Sequence, residues 1–332
     1  MLSRLTSMVR ATRFAVAAGC LALCANPAAA QDYPTRPITL IVPFAAGGAA
    51  DIIGRTIAEK LGQTYGQQVV VENKGGAGSN IGINAAAKSA PDGYTLVLAS
   101  IAVAVNPWLF KSMPYDPVKD LTPLTLALET PNVVIVPASS PVKTIKDLIA
   151  FTKDKAKEGG ASYGSAGTGS SLHLAAEMFR QQAHVEMTHV PYRGSSPALT
   201  DLMSGRIDLM FDNASTALPQ VQGGSLRAIA VTTKDRIAAL PNVPTIAESG
   251  VPGFELANWW AIFGPGNMPP ALAERISADI RKVLADPGVQ KRFDDVSGRV
   301  IASTPQELAA HLTKESAKWK QIVEAAGIRG SQ

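Results

Sequence analysis

The sequence is poor in residues that titrate, crosslink or span a membrane. Only 17% of its 332 residues are charged, 6% are aromatic and four are histidine. Both cysteines, Cys20 and Cys24, lie within the first thirty residues, so the rest of the chain has no thiol for a disulfide or a metal site. No apolar run reaches the ~18–20 residues of a bilayer-spanning helix. These absences exclude a disulfide-stapled fold, while the length allows two domains with a large core.

Residues 1–30 have the features of a secretory signal peptide. Arg4, Arg10 and Arg13 form a basic region, Phe14 to Ala25 form a short apolar stretch, and small residues lead to Ala30. We predict cleavage after Ala30 and a periplasmic location. A transmembrane anchor is the alternative, but the apolar stretch is too short for one. Cys20 lacks the leucine that usually stands three residues earlier in a lipoprotein signal, so a lipid anchor is not expected.

The charge balance of the remaining chain is close to neutral. Three of the 31 basic residues and none of the 27 acidic residues lie in 1–30, which leaves 28 basic against 27 acidic residues. The formal charge of +4 is therefore largely a property of the signal peptide. Because no basic surplus remains, we predict that nucleic acid is not a partner.

Short apolar runs alternate with helical patterns along the chain. The runs are typical of strands buried on both faces, because turn residues bound them. They are Pro37–Phe44, Val69–Val71, Tyr94–Ala99, Val133–Val136, Ile207–Phe211 and Leu226–Val231. Helical patterns cover Asp51–Leu61, Ile145–Ala156, Leu172–Gln182, Ala271–Leu284 and Pro305–Ala326. The alternation predicts an α/β fold with parallel sheets and helices on both faces.

Two proline-rich segments divide the chain. Thr130–Asn132 and Pro241–Pro252 bracket a middle section, so we predict two lobes joined by two crossovers, an arrangement typical of a hinge. Lobe 1 would comprise residues 31–131 and 254–332, and lobe 2 residues 132–253. The turn at 42–48 resembles the turn at 190–196, since both follow a strand with proline, an aromatic residue and small residues. Either this likeness is chance, or both lobes place similar turns at a shared cleft.

Two loops, 45–51 and 164–171, have the composition of anion-binding helix starts. Each follows a predicted strand and precedes a helix, and each is rich in glycine, which lets a ligand approach the backbone closely. Unpaired N–H groups at a helix N-terminus attract anions. Neither loop fits a nucleotide-binding motif. The pair predicts that two ends of one diacid are held from opposite sides, and ordinary strand-to-helix turns are the alternative.

Candidates for catalysis or metal binding are weak. His184, Glu186 and His189 have a metal-like spacing, but on a strand His189 would point away from the other two. We therefore predict no metal and no cofactor. No Gly-x-Ser-x-Gly nucleophile elbow occurs. Asp212 ends a predicted strand, where ligand contacts and local turn hydrogen bonds are both common. His173 is expected to brace the second loop, and Trp259-Trp260 fits core packing better than ligand stacking.

Ordered motifs along residues 31–328 resemble the Bug family of periplasmic solute-binding receptors, which serve tripartite tricarboxylate transporters. They include IVPFAAGGAAD at 41–51, VVVEN at 69–73, PDGYTL at 91–96, PYDP at 114–117, HVPY at 189–192 and LPNVPT at 240–245. The resemblance implies a type II periplasmic-binding-protein-like α/β fold, with two lobes and a ligand cleft between them. Two positions depart from the family pattern: Lys74-Gly75-Gly76 replaces Arg-Pro-Gly, and Arg193 replaces Lys. The second departure leaves ligand preference open, because Arg and Lys differ in donor geometry.

The resemblance also implies a binding site and a role. Carried over residue by residue and joined to the loops above, the predicted ligand-binding residues are Phe44, Ala45, Ala46, Gly47, Gly48, Asp51, Ser100, Gly167, Thr168, Gly169, Ser170, Ser171, His173, Arg193 and Asp212. We expect a monomeric, non-enzymatic protein that captures a di- or tricarboxylate, an acidic amino acid or an aromatic acid. A membrane permease of the tripartite tricarboxylate transporter type would be its transient partner. A ligand sensor without a permease is the alternative, and a secreted hydrolase or a docking module is more remote.

Overall fold

The computed structural model describes residues 33–295 and 297–325, and its compact unit begins at Arg36. The predicted signal peptide and Cys20 lie outside the described residues. The described strands are β1 (Ile38–Val42), β2 (Val69–Asn73), β3 (Thr95–Ser100), β4 (Leu121–Pro137), β5 (Ala161–Ser165), β6 (Met187–Pro191), β7 (Leu209–Asn213), β8 (Leu226–Val231), β9 (Ala257–Pro265) and β10 (Arg299–Val300).

The described helices are α1 (Ala49–Tyr65), α2 (Asn80–Ala87), α3 (Ala102–Leu109), α4 (Ile145–Lys155), α5 (Ser171–Gln182), α6 (Ser195–Met203), α7 (Ala214–Gln222), α8 (Pro270–Leu284), α9 (Pro287–Asp294) and α10 (Pro305–Ala325). A 3₁₀ turn follows α4 at Ala156–Glu158. None of these helices is long and apolar enough to cross a membrane.

The strands form a mixed sheet in the order β2-β1-β3-β9-β4-β7-β5-β6, with β8 and β10 also paired to β4. The predicted α/β class is confirmed. The prediction of purely parallel sheets is wrong, because β9 runs antiparallel to both β3 and β4, and β4 runs antiparallel to β7 and β8. Parallel pairing holds within each half, as in β2-β1-β3 and β7-β5-β6. The antiparallel strands are the ones that join the two halves.

Strand β4 belongs to both halves of the sheet. Its pairing with β9 ends at Pro131, and its pairing with β7 begins at Asn132. We call the half with β1–β3 and β9 lobe 1, and the half with β5–β8 lobe 2. The segment Thr130–Asn132, which the sequence suggested as a connection, is therefore part of a continuous strand.

All the predicted strands and helices are present, with shifts at their ends. The strands that were expected before the loop at 164–171 and the turn at 190–196 are β5 and β6, whereas the sequence analysis missed β9 and most of β4. Strand β9 contains the Trp259-Trp260 pair, and both side chains are buried. The predicted core packing is confirmed for Trp259, which belongs to the hydrophobic core, but not for Trp260.

The carboxyl ends of five strands lead into helices at the cleft. In lobe 1, β1 is followed by α1 and β3 by α3; in lobe 2, β5, β6 and β7 are followed by α5, α6 and α7. Ligands of open α/β sheets bind outside the carboxyl ends of strands. The topology therefore brings helix N-termini from both lobes to one place.

Candidate functional site

Five helices begin at the walls of one cavity between the lobes. The cavity has about 310 Å³ of unfilled space, part of it open to solvent, and only a small part of it is wide enough for a water molecule. Its walls come from the starts of α1, α5, α6 and α7, from Ser100 before α3, and from β9. The lining residues are Phe44, Gly48, Ala49, Ala50, Ser100, Ala166, Ser170, Ser171, Leu172, Ser195, Asn213, Asn258 and Trp260.

Unpaired backbone N–H groups give the cavity a positive potential. Gly48 is the N-cap of α1, and no side chain caps this helix. Within the described part of the chain, the N–H groups of Gly48, Ala49, Ala50, Ser171 and Leu172 make no hydrogen bond. Each helix N-terminus carries roughly half a positive charge. No lysine or arginine is among the described lining residues, so the cavity favours an anion through helix dipoles and N–H donors.

Asp51 fixes the shape of the first loop. Its Oδ2 accepts hydrogen bonds from the Gly47 N–H at 2.9 Å and from Nε of Arg55 at 3.0 Å. Nδ2 of Asn73 donates to Asp51 Oδ1 at 3.0 Å and to the Phe44 carbonyl at 3.1 Å. Burial alone would raise the pKa of Asp51, but the hydrogen bonds from Arg55, Gly47 and Asn73 outweigh it and lower that pKa. Asp51 is therefore ionised at neutral pH and holds the loop from behind.

Two aromatic side chains form the apolar wall of the cavity. The rings of Phe44 and Trp260 pack edge to face, with centroids 6.1 Å apart and planes at 78°. Both residues are buried. A ligand held by its charged ends at the helix starts would place its carbon chain against this wall.

The second loop is held in place by two neutral histidines. The Gly169 N–H donates to Nδ1 of His173 at 3.3 Å, so the predicted bracing role of His173 is confirmed. The His173 ring packs on His189 with centroids 4.4 Å apart. Burial lowers the pKa of His173 to about 4 and that of His189 to about 3, so both rings are neutral near pH 7. The Ser170 hydroxyl caps α5 and donates to the Gly167 carbonyl at 2.6 Å.

Asp212 lies behind the cavity rather than on its wall. It is fully buried, and its carboxylate accepts hydrogen bonds from the hydroxyls of Ser195 and Thr216. Burial raises the pKa of Asp212 to about 6. Because Ser195 gives its only proton to Asp212, its oxygen lines the cavity as an acceptor. Sequence analysis missed Ser195, although the repeated turn at 190–196 was the signal for it.

The predicted site residues are divided between the cavity, its mouth and the supports behind it. Those on the cavity wall are Phe44, Gly48, Ser100, Ser170 and Ser171. Those on a wider cleft, which shares Ala166 with the cavity and which we call the mouth, are Ala45, Gly167, Thr168 and Arg193; this cleft has about 1500 Å³ including open solvent. Those that line neither space are Ala46, Gly47, Asp51, Gly169, His173 and Asp212. Asn213, Asn258 and Trp260 line the cavity without having been predicted.

The two similar turns face each other across the cleft. The Ala45 N–H donates to the Arg193 carbonyl at 2.9 Å, which joins lobe 1 directly to lobe 2. Gly194 lies against Ala45 so closely that a Cβ at position 194 would be 2.8 Å from the Ala45 Cβ. The interpretation that both turns lie at a shared cleft is therefore confirmed.

Two lobes that meet over a dipole-lined cavity define a type II periplasmic binding protein. A family model described as "Tripartite tricarboxylate transporter family receptor" matches residues 53–328. The chain belongs to this family, as the sequence resemblance predicted.

Solved structures agree with this assignment. The periplasmic binding protein BugD is 34% identical, covers 90% of this chain and 99% of its own, and superimposes with a TM-score of 0.86. Rpa4515 of R. palustris, solved with adipate, is 35% identical with the same coverage and a TM-score of 0.86. MatC of Rhodopseudomonas palustris, solved with bound malate, is 30% identical, covers 88% of this chain and 100% of its own, and has a TM-score of 0.82.

Proposed function

We propose that this protein captures a small carboxylate in the cavity between its lobes and delivers it to a membrane permease of the tripartite tricarboxylate transporter type. The observation that carries the proposal is the convergence of unpaired N–H groups from the starts of α1 and α5 on one cavity, whose described lining has no lysine or arginine. The adipate and malate bound by the two R. palustris proteins support a dicarboxylate in particular.

The ligand links the lobes because each lobe supplies part of its binding site. One carboxylate is held by the N–H groups of Gly48, Ala49 and Ala50 in lobe 1. The other is held by the start of α5, at Ser171 and Leu172 in lobe 2. The open form offers only one of these sets, so binding favours the closed form. The lobe limits at 131 and 253 are part of this proposal.

The remaining predicted residues have supporting roles in this proposal. Asp51, His173 and Asp212 position the loops and Ser195, and they do not touch the ligand. Arg193 is exposed at the mouth, where its charge attracts anions into the cleft.

The protein acts by binding and without chemistry. Ser165 and His189 do form a Ser–His pair at 2.6 Å, the arrangement that a hydrolase requires. However, Ser165 is fully buried, it also accepts the Gly167 N–H, and neither residue lines the cavity. A substrate in the cavity therefore does not reach this pair.

The periplasm, entered through residues 1–30, is the compartment in which such a monomeric receptor meets its solute and its permease.

Thermal unfolding tests the proposal. Residues 31–332 are unfolded, dialysed to remove retained ligand, refolded, and melted with C4 to C6 mono-, di- and tricarboxylates, acidic amino acids and aromatic acids. A ligand that binds only the folded state raises the midpoint by mass action. We expect a rise with one or a few acids and none with the matched uncharged amides.

Gly48→Val supplies the specific control. The backbone of Gly48 is extended, with φ −86° and ψ 175°, which valine tolerates, and the new side chain would enter the space beside Ser195. This variant should fold and lose the ligand-induced rise, whereas Gly288→Ala on the exposed start of α9 should keep it. A flat panel with the refolded wild type contradicts the proposed function.

A further inference from the structure

One residue on the cavity wall has a buried hydrogen-bond acceptor with no partner among the described residues. Asn258 lines the cavity and is 1% exposed. Its Oδ1 makes no hydrogen bond with the described residues, while its Nδ2 donates to Oδ1 of Asn213 at 3.2 Å. A buried acceptor without a donor destabilises the state that contains it. The closed form would therefore gain from a ligand that supplies a donor at this point.

A chain of hydrogen bonds links both amides to a tryptophan. The Trp260 indole can only donate, and its Nε1–H bonds to Oγ1 of Thr130 at 3.0 Å. The Thr130 hydroxyl then has its own proton for Oδ1 of Asn213, 3.2 Å away. In this arrangement Asn213 presents its oxygen to Thr130 and to Asn258. Rotating the Asn258 amide would set two oxygens against each other, so its Oδ1 stays on the unpaired side.

Asn213 and Asn258 both line the cavity, and between them one donor group and one acceptor have no partner among the described residues. Nδ2 of Asn213 makes no hydrogen bond among the described residues, and Asn213 also lines the cavity. A hydroxyl satisfies such a pair, because it accepts from an N–H and donates to a carbonyl oxygen. An ammonium group can only donate, so it would satisfy Oδ1 of Asn258 but would place a second donor against Nδ2 of Asn213. A methylene group would leave both amide groups unpaired.

We propose that Asn258, oriented by Trp260, Thr130 and Asn213, selects a hydroxy-substituted dicarboxylate over the unsubstituted diacid. This inference rests on the proposed function, since the helix starts must hold the carboxylates. Asn258 acts as a specificity-determining residue: it adds little to the affinity for a plain diacid, but it raises the affinity for a diacid that carries a hydroxyl.

Titration calorimetry on refolded residues 31–332 tests the inference with matched pairs that differ by one hydroxyl. The pairs are malate and succinate, 2-hydroxyglutarate and glutarate, and 2-hydroxyadipate and adipate, with both enantiomers of each hydroxy acid. In the pair of the correct length, we expect one enantiomer to bind about tenfold or more tightly than its unsubstituted partner. Asn258→Leu keeps the shape and removes both amide groups, so it should bring the two affinities together mainly by weakening the hydroxy acid.

Asn84→Leu is the matched control, because Asn84 also has a buried unpaired Oδ1 but lies on α2 and does not line the cavity. It should leave the affinity ratio unchanged. Equal wild-type affinities within every pair, or tighter binding of the plain diacid, overturn the hydroxyl inference and leave the proposed function standing. If no acid of any kind binds, the proposed function fails and this inference fails with it. The ratio of the wild-type affinities for the hydroxy acid and the plain diacid tests the hydroxyl inference even if Asn258→Leu does not fold.

Discussion

The contact between Gly194 of lobe 2 and Ala45 of lobe 1 provides a test of closure. Gly194 precedes α6 with φ 167°, an extended conformation that alanine adopts without strain. The alanine Cβ would lie 2.8 Å from the Cβ and 2.9 Å from the N of Ala45, which belongs to the other lobe. Gly194→Ala should therefore leave each lobe intact and obstruct only the closed arrangement.

The size of the effect follows from these distances. Non-bonded carbons are comfortable at about 3.5–4.0 Å, so the lobes must separate by roughly 1 Å at this point. The hydrogen bond from Ala45 to Arg193, now 2.9 Å long, would then exceed the normal range. Losing it costs about 1 kcal/mol, and the helix starts also move away from the ligand. A total of about 1.5–3 kcal/mol corresponds to roughly tenfold to hundredfold weaker binding.

Calorimetric titration with the acid that binds the wild type measures this loss. The midpoint of thermal unfolding without ligand should match the wild type within about a degree, since the contact is absent when the lobes are apart. Gly288→Ala, a replacement far from the cleft, should bind like the wild type. Wild-type affinity in Gly194→Ala would show that binding does not require the lobes to meet at this contact.

Three further predictions concern the supports of the site. Burial raises the pKa of Asp212 to about 6 from an ordinary value near 3.8, so the folded state stays protonated to higher pH than the unfolded state does. The unfolding free energy of the wild type should therefore fall by on the order of 2–3 kcal/mol as pH rises from 4 to 6.5. Urea titrations should show Asp212→Asn gaining stability relative to the wild type by about that amount over the same range, and a constant difference would contradict the burial argument. Trp260 lines the cavity, so ligand should change the tryptophan emission, and Trp260→Phe should remove most of that change although Trp108, Trp259 and Trp319 remain; an unaltered signal in this variant would place the ligand elsewhere. Gly47 has φ +78°, which costs a β-branched residue about 1–2 kcal/mol, so Gly47→Val should distort the loop that sets Gly48 and weaken binding at least severalfold by calorimetry, whereas full affinity would remove the loop from the site.

The sequence predicted the two glycine-rich helix starts of the candidate site, because their residue patterns are local. Gly47 and Gly48 after a buried strand identified the first helix start, and the Gly-Ser run before Leu172 identified the second. These patterns are local, since a strand, a tight turn and a helix follow each other along the chain. The resemblance to a family then placed both loops at one cleft.

The remainder of the site depends on contacts between distant segments. Asn258 and Trp260 reach the cavity on β9, which pairs with β3 and β4 across more than a hundred residues of chain. The sequence alone does not show whether the side-chain oxygen of an asparagine in an apolar strand finds a hydrogen-bond donor in the folded protein. Asp51 was predicted as a ligand contact from the family resemblance, and Asp212 also from its place at the end of a strand. Neither lines the cavity, and their hydrogen bonds with Gly47 and Ser195 could not be foreseen from the sequence.

In the proposed binding mode, helix starts from both lobes hold a carboxylate without a lysine or arginine. The decisive measurement is a crystal structure of refolded residues 31–332 with the acid that gives the largest rise in unfolding midpoint. We predict a carboxylate oxygen within hydrogen-bond distance of the N–H groups at Gly48, Ala49 and Ala50, with the carbon chain against Phe44 and Trp260. An acid bound instead at the mouth, paired with the Arg193 guanidinium, would contradict the claim.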